Sequence, residues 1–381
     1  MKFDLSEEQR LLADSIRRFL AADYTFEARR RILASPEGWS AAIWGQLAQL
    51  GLLALPMPTE HEGFGGGAED LVPAMEAFGE ALVVEPYLAT LLGARMVARG
   101  GSQTLRGEIL PAVAAGSIKL AFAQTEEGAR YDLARVATRA HREGGNYVLD
   151  GEKQVVLHAA QADRLLVSAR SSGNATDAAG VSLFVVDGTA AGISMREFRT
   201  LDGLRGADVT LRGVRVAASR LVGIEGTALP VIEEAVDYAT ALLCAEAVGA
   251  MRFANETTLE YLKTRKQFGV PIGSFQALQH RMVDMVISAE QARSMAGLAC
   301  ATIDRGIEPA ERKRIVSAAK IRVAEACRHV SQEAVQLHGG MGMSEELKVS
   351  HTFRRLTMIA QQFGDADHHL ERFAAQDAPT S

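Results

Sequence analysis

Residues 264–280 read TRKQFGVPIGSFQALQH, and this stretch predicts a sharp corner between two long helices. A helical pattern reaches Arg265-Lys266, and Gly269 can take the left-handed conformation that commonly ends a helix. Pro271 prevents the helix from continuing, and Ser274 is a good N-cap for the next one. The side chains expected at this corner are those two cations with Gln267, Phe268 and Gln276.

A second glycine-rich corner lies at residues 336–346, QLHGGMGMSEE. One glycine is enough to end a helix. The three at Gly339, Gly340 and Gly342 therefore indicate that a ligand or another backbone approaches closely. Gln336 and His338 are expected to point toward that gap from the last helical turn.

Each corner also has a purely structural interpretation. Arg265 can fork onto a pyrophosphate, or it can complement the negative end of the preceding helix dipole. The glycine-rich corner can cradle a ligand, or it can simply turn the chain between packed helices. Taken alone, neither motif decides between these interpretations.

The hydrophobic period changes twice along the chain, which predicts three domains. Residues 1–115 have helical spacing, residues 116–225 contain short strands separated by turn signals, and residues 226–381 return to long helices. Long helices are predicted in the last domain at 229–265, 275–305 and 309–338. Their lengths are typical of an antiparallel bundle, so the predicted fold class is mainly α with a central β domain.

Local signals add detail to this outline. Ser6 and Gln9 predict a capping box, and residues 39–55 predict one continuous helix. A further helix is predicted from about Leu71, after a glycine-rich loop. Asp150-Gly151 predicts a hairpin turn between two strands.

Composition excludes several classes of function. The net charge of −6 gives no large basic surface for nucleic acid. The sequence has no apolar leader and no run of about 18 apolar residues, so we expect neither a signal peptide nor a membrane span. Cys244, Cys300 and Cys327 form no paired motif and fall in helical segments. They predict reduced, buried thiols in a cytoplasmic protein.

In combination, the motifs RKQFG and QxHGGxG resemble those of the acyl-CoA dehydrogenase family of flavoproteins. AFAQTEEGARYDLARVATRA at 121–140 resembles the family's flavin loop, and ADVTLRGVRVAASRLVG at 207–223 resembles the exit from its β domain. The similarity runs from the N-terminal helix to about residue 375. It implies an N-terminal α domain, a β-barrel-like middle domain and a C-terminal four-helix bundle.

The resemblance also implies FAD as the cofactor and α,β-dehydrogenation of an acyl-CoA thioester as the reaction. In the family a carboxylate takes the α proton, the flavin takes the β hydride, and a flavoprotein accepts the electrons. FAD lies between the β domain and the bundle, and its adenosine diphosphate half reaches the neighbouring subunit. The positions that match the family's cofactor contacts are Thr125, Arg265, Gln267, Phe268, Gln276, Gln336, Gly339 and Gly340.

Both positions at which the family carries its catalytic base lack an acid here. Counted without gaps from Gln336, the usual glutamate falls on Phe363. The alternative position, on the first bundle helix, falls on Ala239-Thr240. Asp365 remains as a candidate for a displaced base, and no residue is otherwise assigned that role.

The flavin side of the resemblance is altered as well. The strand that covers the flavin in the family corresponds to Val155-Val156-Leu157, and the small residues of the flavin loop correspond to Arg130-Tyr131-Asp132. The pyrophosphate side, in contrast, matches. A chain that keeps only this half is expected to donate the adenosine diphosphate half-site to a homologous partner that carries the glutamate.

This pattern predicts an α2β2 heteromer, and the chain resembles the small subunits of pimeloyl-CoA dehydrogenase-like heteromeric enzymes. A homo-oligomer is the alternative assembly. Two other functions stay open: a self-sufficient flavin oxidase or monooxygenase of the same fold, and a catalytically inactive binding or scaffold subunit.

The segment IAQQFGDADHH at 359–369 combines acids and histidines. Neighbouring residues point to different faces of a helix, which is poor geometry for a metal, so no metal site is predicted. An N-cap formed by one of the two aspartates is the favoured interpretation. Glu246, in the first bundle helix, is a further carboxylate that needs a partner if it is buried, and Arg252 or Arg281 is the expected one.

Overall fold

A computed structural model of the chain describes residues 6–376. The helices are α1 (Glu7–Asp23), α2 (Phe26–Ala34), α3 (Ala41–Gln49), α4 (Ala68–Ala81), α5 (Tyr87–Gly100), α6 (Gln103–Ala114), α7 (Leu229–Thr264), α8 (Gln276–Arg305), α9 (Pro309–His338), α10 (Lys348–Gln361) and α11 (Ala366–Ala374). The strands are β1 (Leu120–Ala123), β2 (Arg139–Glu143), β3 (Asn146–Leu157), β4 (Arg164–Arg170), β5 (Val181–Asp187), β6 (Ile193–Arg199), β7 (Arg205–Ala217), β8 (Leu221–Val222), β9 (Lys266–Gln267) and β10 (Val270–Pro271). The predicted fold class is confirmed, and α7, α8 and α9 lie within one residue of their predicted bounds.

Contacts divide the chain into two compact units. The bundle unit comprises the described parts of Met1–Arg31, Gly67–Val83 and Thr240–Ser381, and the sheet unit comprises Ile32–Gly66 and Val84–Ala239. No helix among residues 6–376 is long and apolar enough to cross a membrane.

In the bundle unit, α4 and α7 cross with their backbones in contact. A Cβ atom on Gly79 would lie 1.8 Å from the Glu246 carbonyl oxygen, and one on Gly249 would lie 1.8 Å from the Glu76 carbonyl oxygen. Only glycine permits this approach. Beside the crossing, Arg252 of α7 donates to Glu76 and Glu80 of α4, at 2.5 Å and 2.9 Å.

The helix ends in this unit are closed by side chains. Ser6 and Gln9 form the predicted capping box on α1. Helix α4 begins at Ala68, before the predicted start, because Asp304 of α8 accepts from the amides of Ala68 and Glu69 at 2.7 Å and 2.8 Å. A cap supplied from another helix leaves no local signal in the sequence.

The three cysteines are free and buried, as predicted. Each lies in a different bundle helix, and burial raises the pKa of the Cys244 and Cys327 thiols to about 12. Such thiols stay protonated and pack as small apolar side chains.

The sheet unit is built on an eight-stranded sheet in the order β6-β7-β3-β2-β4-β5-β8, with β1 parallel to β4. Its inward residues form one apolar core that includes Tyr147, Leu165, Phe184 and Val209. Most pairs are antiparallel, so a polar face alternates with this buried one.

The predicted hairpin at Asp150-Gly151 is wrong. Strand β3 continues through both residues, with a register shift against β7 at this point, and the chain instead turns at Gly144-Gly145, between β2 and β3. The Asp150 carboxylate accepts from the amide of Gly213 at 2.7 Å, so it joins two strands and closes no turn. Gly151 has φ +156° and marks a bulge.

The predicted helix at 39–55 is also too long. Helix α3 ends at Gln49, and Gly51 takes φ +75°, where a Cβ atom would lie 2.8 Å from the ring of Phe64. The glycine therefore allows the chain to turn under an aromatic ring that comes from a later loop.

Candidate functional site

The corner at residues 264–276 is a small hairpin between two bundle helices. After α7 ends, β9 pairs with β10, and the connecting residues Phe268 and Gly269 have φ +54° and +82°. Two successive positive φ angles are typical of the two-residue hairpin turn. Gly269 therefore serves the hairpin rather than ending α7, which corrects the interpretation from the sequence.

The side chains of this corner point outward. All five predicted side chains are exposed: Arg265, Lys266, Gln267, Phe268 and Gln276. Phe268 is 91% exposed, and its positive φ is unfavourable for a residue other than glycine. Within residues 6–376, Arg265 makes no side-chain ion pair. An exposed cation and an exposed aromatic ring on a rigid turn are features of a binding surface rather than of a core.

The glycine-rich corner begins where α9 ends at His338. Gly339 has φ +60°, and a Cβ atom on Gly339 or Gly340 would meet no atom within 4 Å. Gly342 differs, since a Cβ atom there would lie 2.5 Å from the Val335 carbonyl oxygen. Packing therefore requires Gly342, whereas Gly339 and Gly340 leave open space for another molecule.

His338 links the two corners. Its ring stacks on Tyr261 of α7 with centroids 4.5 Å apart, and its Nδ1 donates to the Ala334 carbonyl at 2.8 Å. Burial lowers the pKa of His338, so the ring is neutral at physiological pH. The stack brings the end of α9 to the end of α7, one turn before Arg265. Exposed Gln336 lies on that same last turn of α9.

In the sheet unit, a buried lysine forms hydrogen bonds that anchor the loop that resembles the flavin loop. Lys153 is completely buried, and its Nζ donates to Glu126 at 2.7 Å and to Ser168 at 2.9 Å. The Glu126 carboxylate also accepts from the amides of Ala137 and Thr138 at 2.5 Å and 3.1 Å. These bonds close the loop into a fixed shape.

The charges of this pair are set by burial and by each other. Burial lowers the pKa of Lys153 to about 8, although Glu126 opposes the shift. Burial works against ionisation of Glu126, but Lys153 and the loop amides outweigh it and lower the carboxyl pKa. Lys153 was not predicted from the sequence. Its signal was a lysine at an inward position of a strand.

Residues of this loop, and of the strand that the sequence predicts to match the family's flavin-covering strand, lie on this framework. Thr125 is exposed, and its carbonyl accepts from the amide of Gln154 at 2.7 Å. Val155 is 52% exposed with φ +52°, at a bulge of β3, while Val156 is buried. Arg130 also has a positive φ, of +49°.

Phe363, which the sequence predicts at the family's usual base position, lies in the turn between α10 and α11. Phe363 has φ +62° and is half-buried, and Gly364 follows with φ +123°. The Asp365 side chain accepts from the amide of His368 at 2.9 Å, so it caps α11 as the sequence predicted. Among residues 6–376 no group of three His, Cys, Asp or Glu could hold a metal ion.

Glu246 has a partner, but not the one predicted. Arg355 of α10 donates to both carboxylate oxygens, Nε at 2.6 Å and Nη2 at 2.8 Å, and both residues are buried. Arg252 binds α4 instead, and Arg281 binds Glu333. The alternative base position, Ala239-Thr240, is buried in α7 and holds no acid.

Comparison with known proteins settles the family. Three family models match, described as the N-terminal, middle and C-terminal domains of acyl-CoA dehydrogenase, over residues 6–117, 121–214 and 227–376. Acyl-CoA dehydrogenase FadE12 of Mycobacterium tuberculosis is 31% identical over 365 residues, which cover 93% of this chain and 92% of the relative. The chain belongs to the acyl-CoA dehydrogenase family.

Solved acyl-CoA dehydrogenase-like structures agree. The ChsE4-ChsE5 complex from Mycobacterium tuberculosis aligns over 100% of both chains with TM-score 0.90 and 26% identity. The FAD complex of PigA aligns over 99% of both chains with TM-score 0.91 and 26% identity. Acyl-CoA dehydrogenases are FAD-dependent oxidoreductases, and the recognition drawn from the two corner motifs is confirmed.

Proposed function

We propose that this chain is one subunit of a heteromeric FAD-dependent acyl-CoA dehydrogenase and that it lacks the catalytic glutamate. The observation that carries the proposal is that the two candidate carboxylates already bind other groups of this chain. Asp365 caps α11, and Glu246 is paired with Arg355. Phe363, at the base position, has no proton acceptor, so the α proton is taken by a carboxylate of the partner.

The two corners of the bundle unit fit the pyrophosphate half of FAD. Arg265 presents a fork of donors that has no ion-pair partner within residues 6–376, which suits a pyrophosphate, and Gly339 and Gly340 leave open space at the end of α9. The further contacts at these corners are Gln267, Phe268, Gln276 and Gln336. Thr125, in the sheet unit, is a separate candidate contact in the loop that resembles the flavin loop. The flavin supplies the acceptor for the β hydride.

Pairing with a homologous chain is the assembly that follows. The partner contributes the glutamate and an unaltered flavin loop, and this chain contributes the adenosine diphosphate half-site, in an α2β2 complex in the cytoplasm. A separate flavoprotein accepts the electrons. The solved ChsE4-ChsE5 complex supports such a pairing.

One observation favours a second candidate. The loop at 124–138 is firmly anchored by Lys153 and Glu126, as expected of a chain that binds flavin itself. A self-sufficient flavin oxidase or monooxygenase of this fold would need no partner glutamate. A catalytically inactive binding subunit would need neither the anchored loop nor the exposed Arg265.

Co-expression with a homologous chain that carries a Tyr-Glu-Gly-Thr-like glutamate tests the proposal. We expect an α2β2 complex by native mass spectrometry, with bound FAD and dye-linked turnover of acyl-CoA. The control replaces the partner's glutamate by glutamine, which should abolish turnover while FAD remains bound. Turnover that survives this control would show that the base lies in the present chain.

A further inference from the structure

The turn at residues 362–365, which carries the base position, is held in a conformation that its own sequence disfavours. Phe363 takes a left-handed φ of +62°, although it is not glycine. Such a conformation costs about 1 kcal/mol or more and persists only where surrounding contacts impose it. Those contacts come from α9 and α11.

Lys320 of α9 makes the first set. Its side chain is completely buried, and its ammonium donates to the carbonyls of Ile359, Ala360 and Gly364 at 2.6 Å, 3.3 Å and 3.0 Å. The first two carbonyls belong to the last turn of α10, which has no helical partner for them. One ammonium therefore closes the end of α10 and fixes the turn that follows.

A series of hydrogen bonds between α9 and α11 makes the second set. Arg372 donates to the hydroxyl of Ser317 at 3.2 Å, and that hydroxyl donates to Nδ1 of His369 at 3.2 Å. The Nε2 of His369 then donates to the Phe363 carbonyl at 3.2 Å. Burial lowers the pKa of His369 to about 2, so the ring is neutral and Nδ1 can accept. Ser317 and Lys320 are three residues apart on one face of α9.

Neither set uses the side chain of residue 363. Lys320 and His369 reach only backbone carbonyls of the turn. Gly364 is needed for a separate reason, since a Cβ atom there would lie 2.5 Å from the ring of His368 and 2.7 Å from that of His369. The shape of the turn thus depends on α9, α11 and Gly364.

We propose that Lys320 is a positioning residue, which fixes the turn from inside the bundle and so sets where residue 363 is presented, whichever side chain stands there. Only one part of this proposal rests on the proposed function, namely that residue 363 faces the substrate. The geometric part concerns the chain alone. It predicts that the turn loosens when the ammonium is removed or neutralised, and that it keeps its shape when Phe363 is replaced.

The experiment places a single 4-fluorophenylalanine at Phe363 of the full chain, or at Phe353 of α10 as a control position. Lys320→Met removes the ammonium. Lys153→Met is the matched control, because Lys153 is the other completely buried lysine among residues 6–376 and lies in the sheet unit. The readouts are the fluorine resonance and amide hydrogen exchange, neither of which requires FAD, a partner or turnover.

We expect Lys320→Met to shift the resonance at position 363 and to speed amide exchange at 363–366 at least about tenfold, because buried carbonyls lose their donor. Lys153→Met should leave both the resonance at position 363 and the exchange rate at 363–366 unchanged. In Lys320→Met, a 4-fluorophenylalanine placed at position 353 should keep its resonance. An unaltered resonance and exchange rate in Lys320→Met would overturn the proposal. A failure of the proposed function would leave this result intact.

A pH titration covers the case in which Lys320→Met does not fold. Burial lowers the pKa of Lys320, and the groups that face its ammonium are Cys244 of α7, Cys327 of α9, Asp365 of the turn and His369 of α11. The two thiols titrate near 12 and so later. In the otherwise unchanged chain, the resonance at position 363 should move with a midpoint below the ordinary lysine value, and that at Phe353 should not. A resonance at position 363 that stays constant up to the ordinary lysine pKa would overturn the proposal.

Discussion

Arg265 is the single residue on which the cofactor half-site depends most. It is exposed at the end of α7 and forms no ion pair within residues 6–376. A charge-assisted bond to a pyrophosphate contributes roughly 1.5–3 kcal/mol, or about 10–150-fold in affinity. Arg265→Ala should therefore strip FAD from the assembled complex on dialysis.

The matched control is Lys263→Ala, which removes an exposed cation of the same helix end that pairs with Glu260. FAD content, read from the flavin absorbance per complex, should stay unchanged in this control. Equal FAD retention in Arg265→Ala and Lys263→Ala would leave only the helix-dipole role for Arg265.

Phe363 offers a direct test of the base position. Phe363→Glu restores a carboxylate, and a general base contributes roughly 10²–10⁴-fold when substrate is within reach. We expect trace dehydrogenation in the single variant, and more when Tyr131→Ser and Leu157→Thr reopen the flavin side. A dye-linked assay over several acyl-CoA lengths measures both.

Two results would count against this account of the base. Full activity in Phe363→Glu alone would mean that the flavin and substrate pockets were intact. Loss of a native activity in Asp365→Asn, with unfolding unchanged in urea, would make Asp365 the base despite its capping bond.

Single residues were predictable where their role is local. The Ser6 cap and the Asp365 cap follow from positions next to helix starts. The partner of Glu246 was not predictable, because Arg355 lies 109 residues along the chain and meets it only through packing. Lys153 and Lys320 were missed for the same reason, since each binds groups brought together by the fold.

At the scale of elements, the Glu246–Arg355 pair ties α7 to α10. Both partners are buried, and Glu246→Gln takes away the carboxylate that Arg355 binds through two nitrogens; breaking a buried ion pair in this way costs about 3–5 kcal/mol. We expect Glu246→Gln to lower the free energy of unfolding by about this amount in urea titrations. The double variant Glu246→Leu with Arg355→Met should recover most of it, and a double variant as unstable as the single one would show that the pair is not the cause.

The turn between α10 and α11 predicts a pH dependence. The folded pKa of His369 is about 2, whereas an unfolded histidine titrates near 6.5. Below pH 6.5 the unfolded chain binds a proton that the folded chain does not, so stability falls toward pH 2 by up to about 1.4 kcal/mol per unit. His369→Gln, which can still donate to the Phe363 carbonyl, removes this contribution.

The measurement is the difference between the unfolding free energies at pH 6.5 and pH 5.5. The variant should lose about 1 kcal/mol less than the unchanged chain over this interval. His280→Gln, which replaces an exposed histidine of α8, serves as the control. Identical pH dependence in His369→Gln would mean that His369 is not held neutral by the fold.

Elements were predictable in proportion to their length. Helices α7, α8 and α9 extend over 30 residues or more, so their hydrophobic period defines them to within a residue. Short sequence signals gave a wrong prediction. Asp150-Gly151 is a typical hairpin-turn pair, but the Asp150 carboxylate accepts a hydrogen bond from Gly213 of the neighbouring strand. The register of β3 against β7 decides that outcome, and a register is a property of two segments.

At the scale of the whole molecule, the fold class and the family are confirmed, while the division at 1–115, 116–225 and 226–381 stays a prediction. Contacts group the chain into two units, whereas the family models follow three segments. The order of helices, strands and helices was readable from the change of period. Which segments join which unit was not, because that depends on non-local packing such as the Gly79–Gly249 crossing.

The central claim is that this chain does not catalyse alone. The most direct test is to purify it without a partner and to measure its FAD content together with its dye-linked turnover on a range of acyl-CoA thioesters. The account predicts weak, substoichiometric FAD and no turnover, because Phe363 offers no base and the flavin side is altered. Stoichiometric FAD with turnover on any acyl-CoA by the isolated homomer would contradict it.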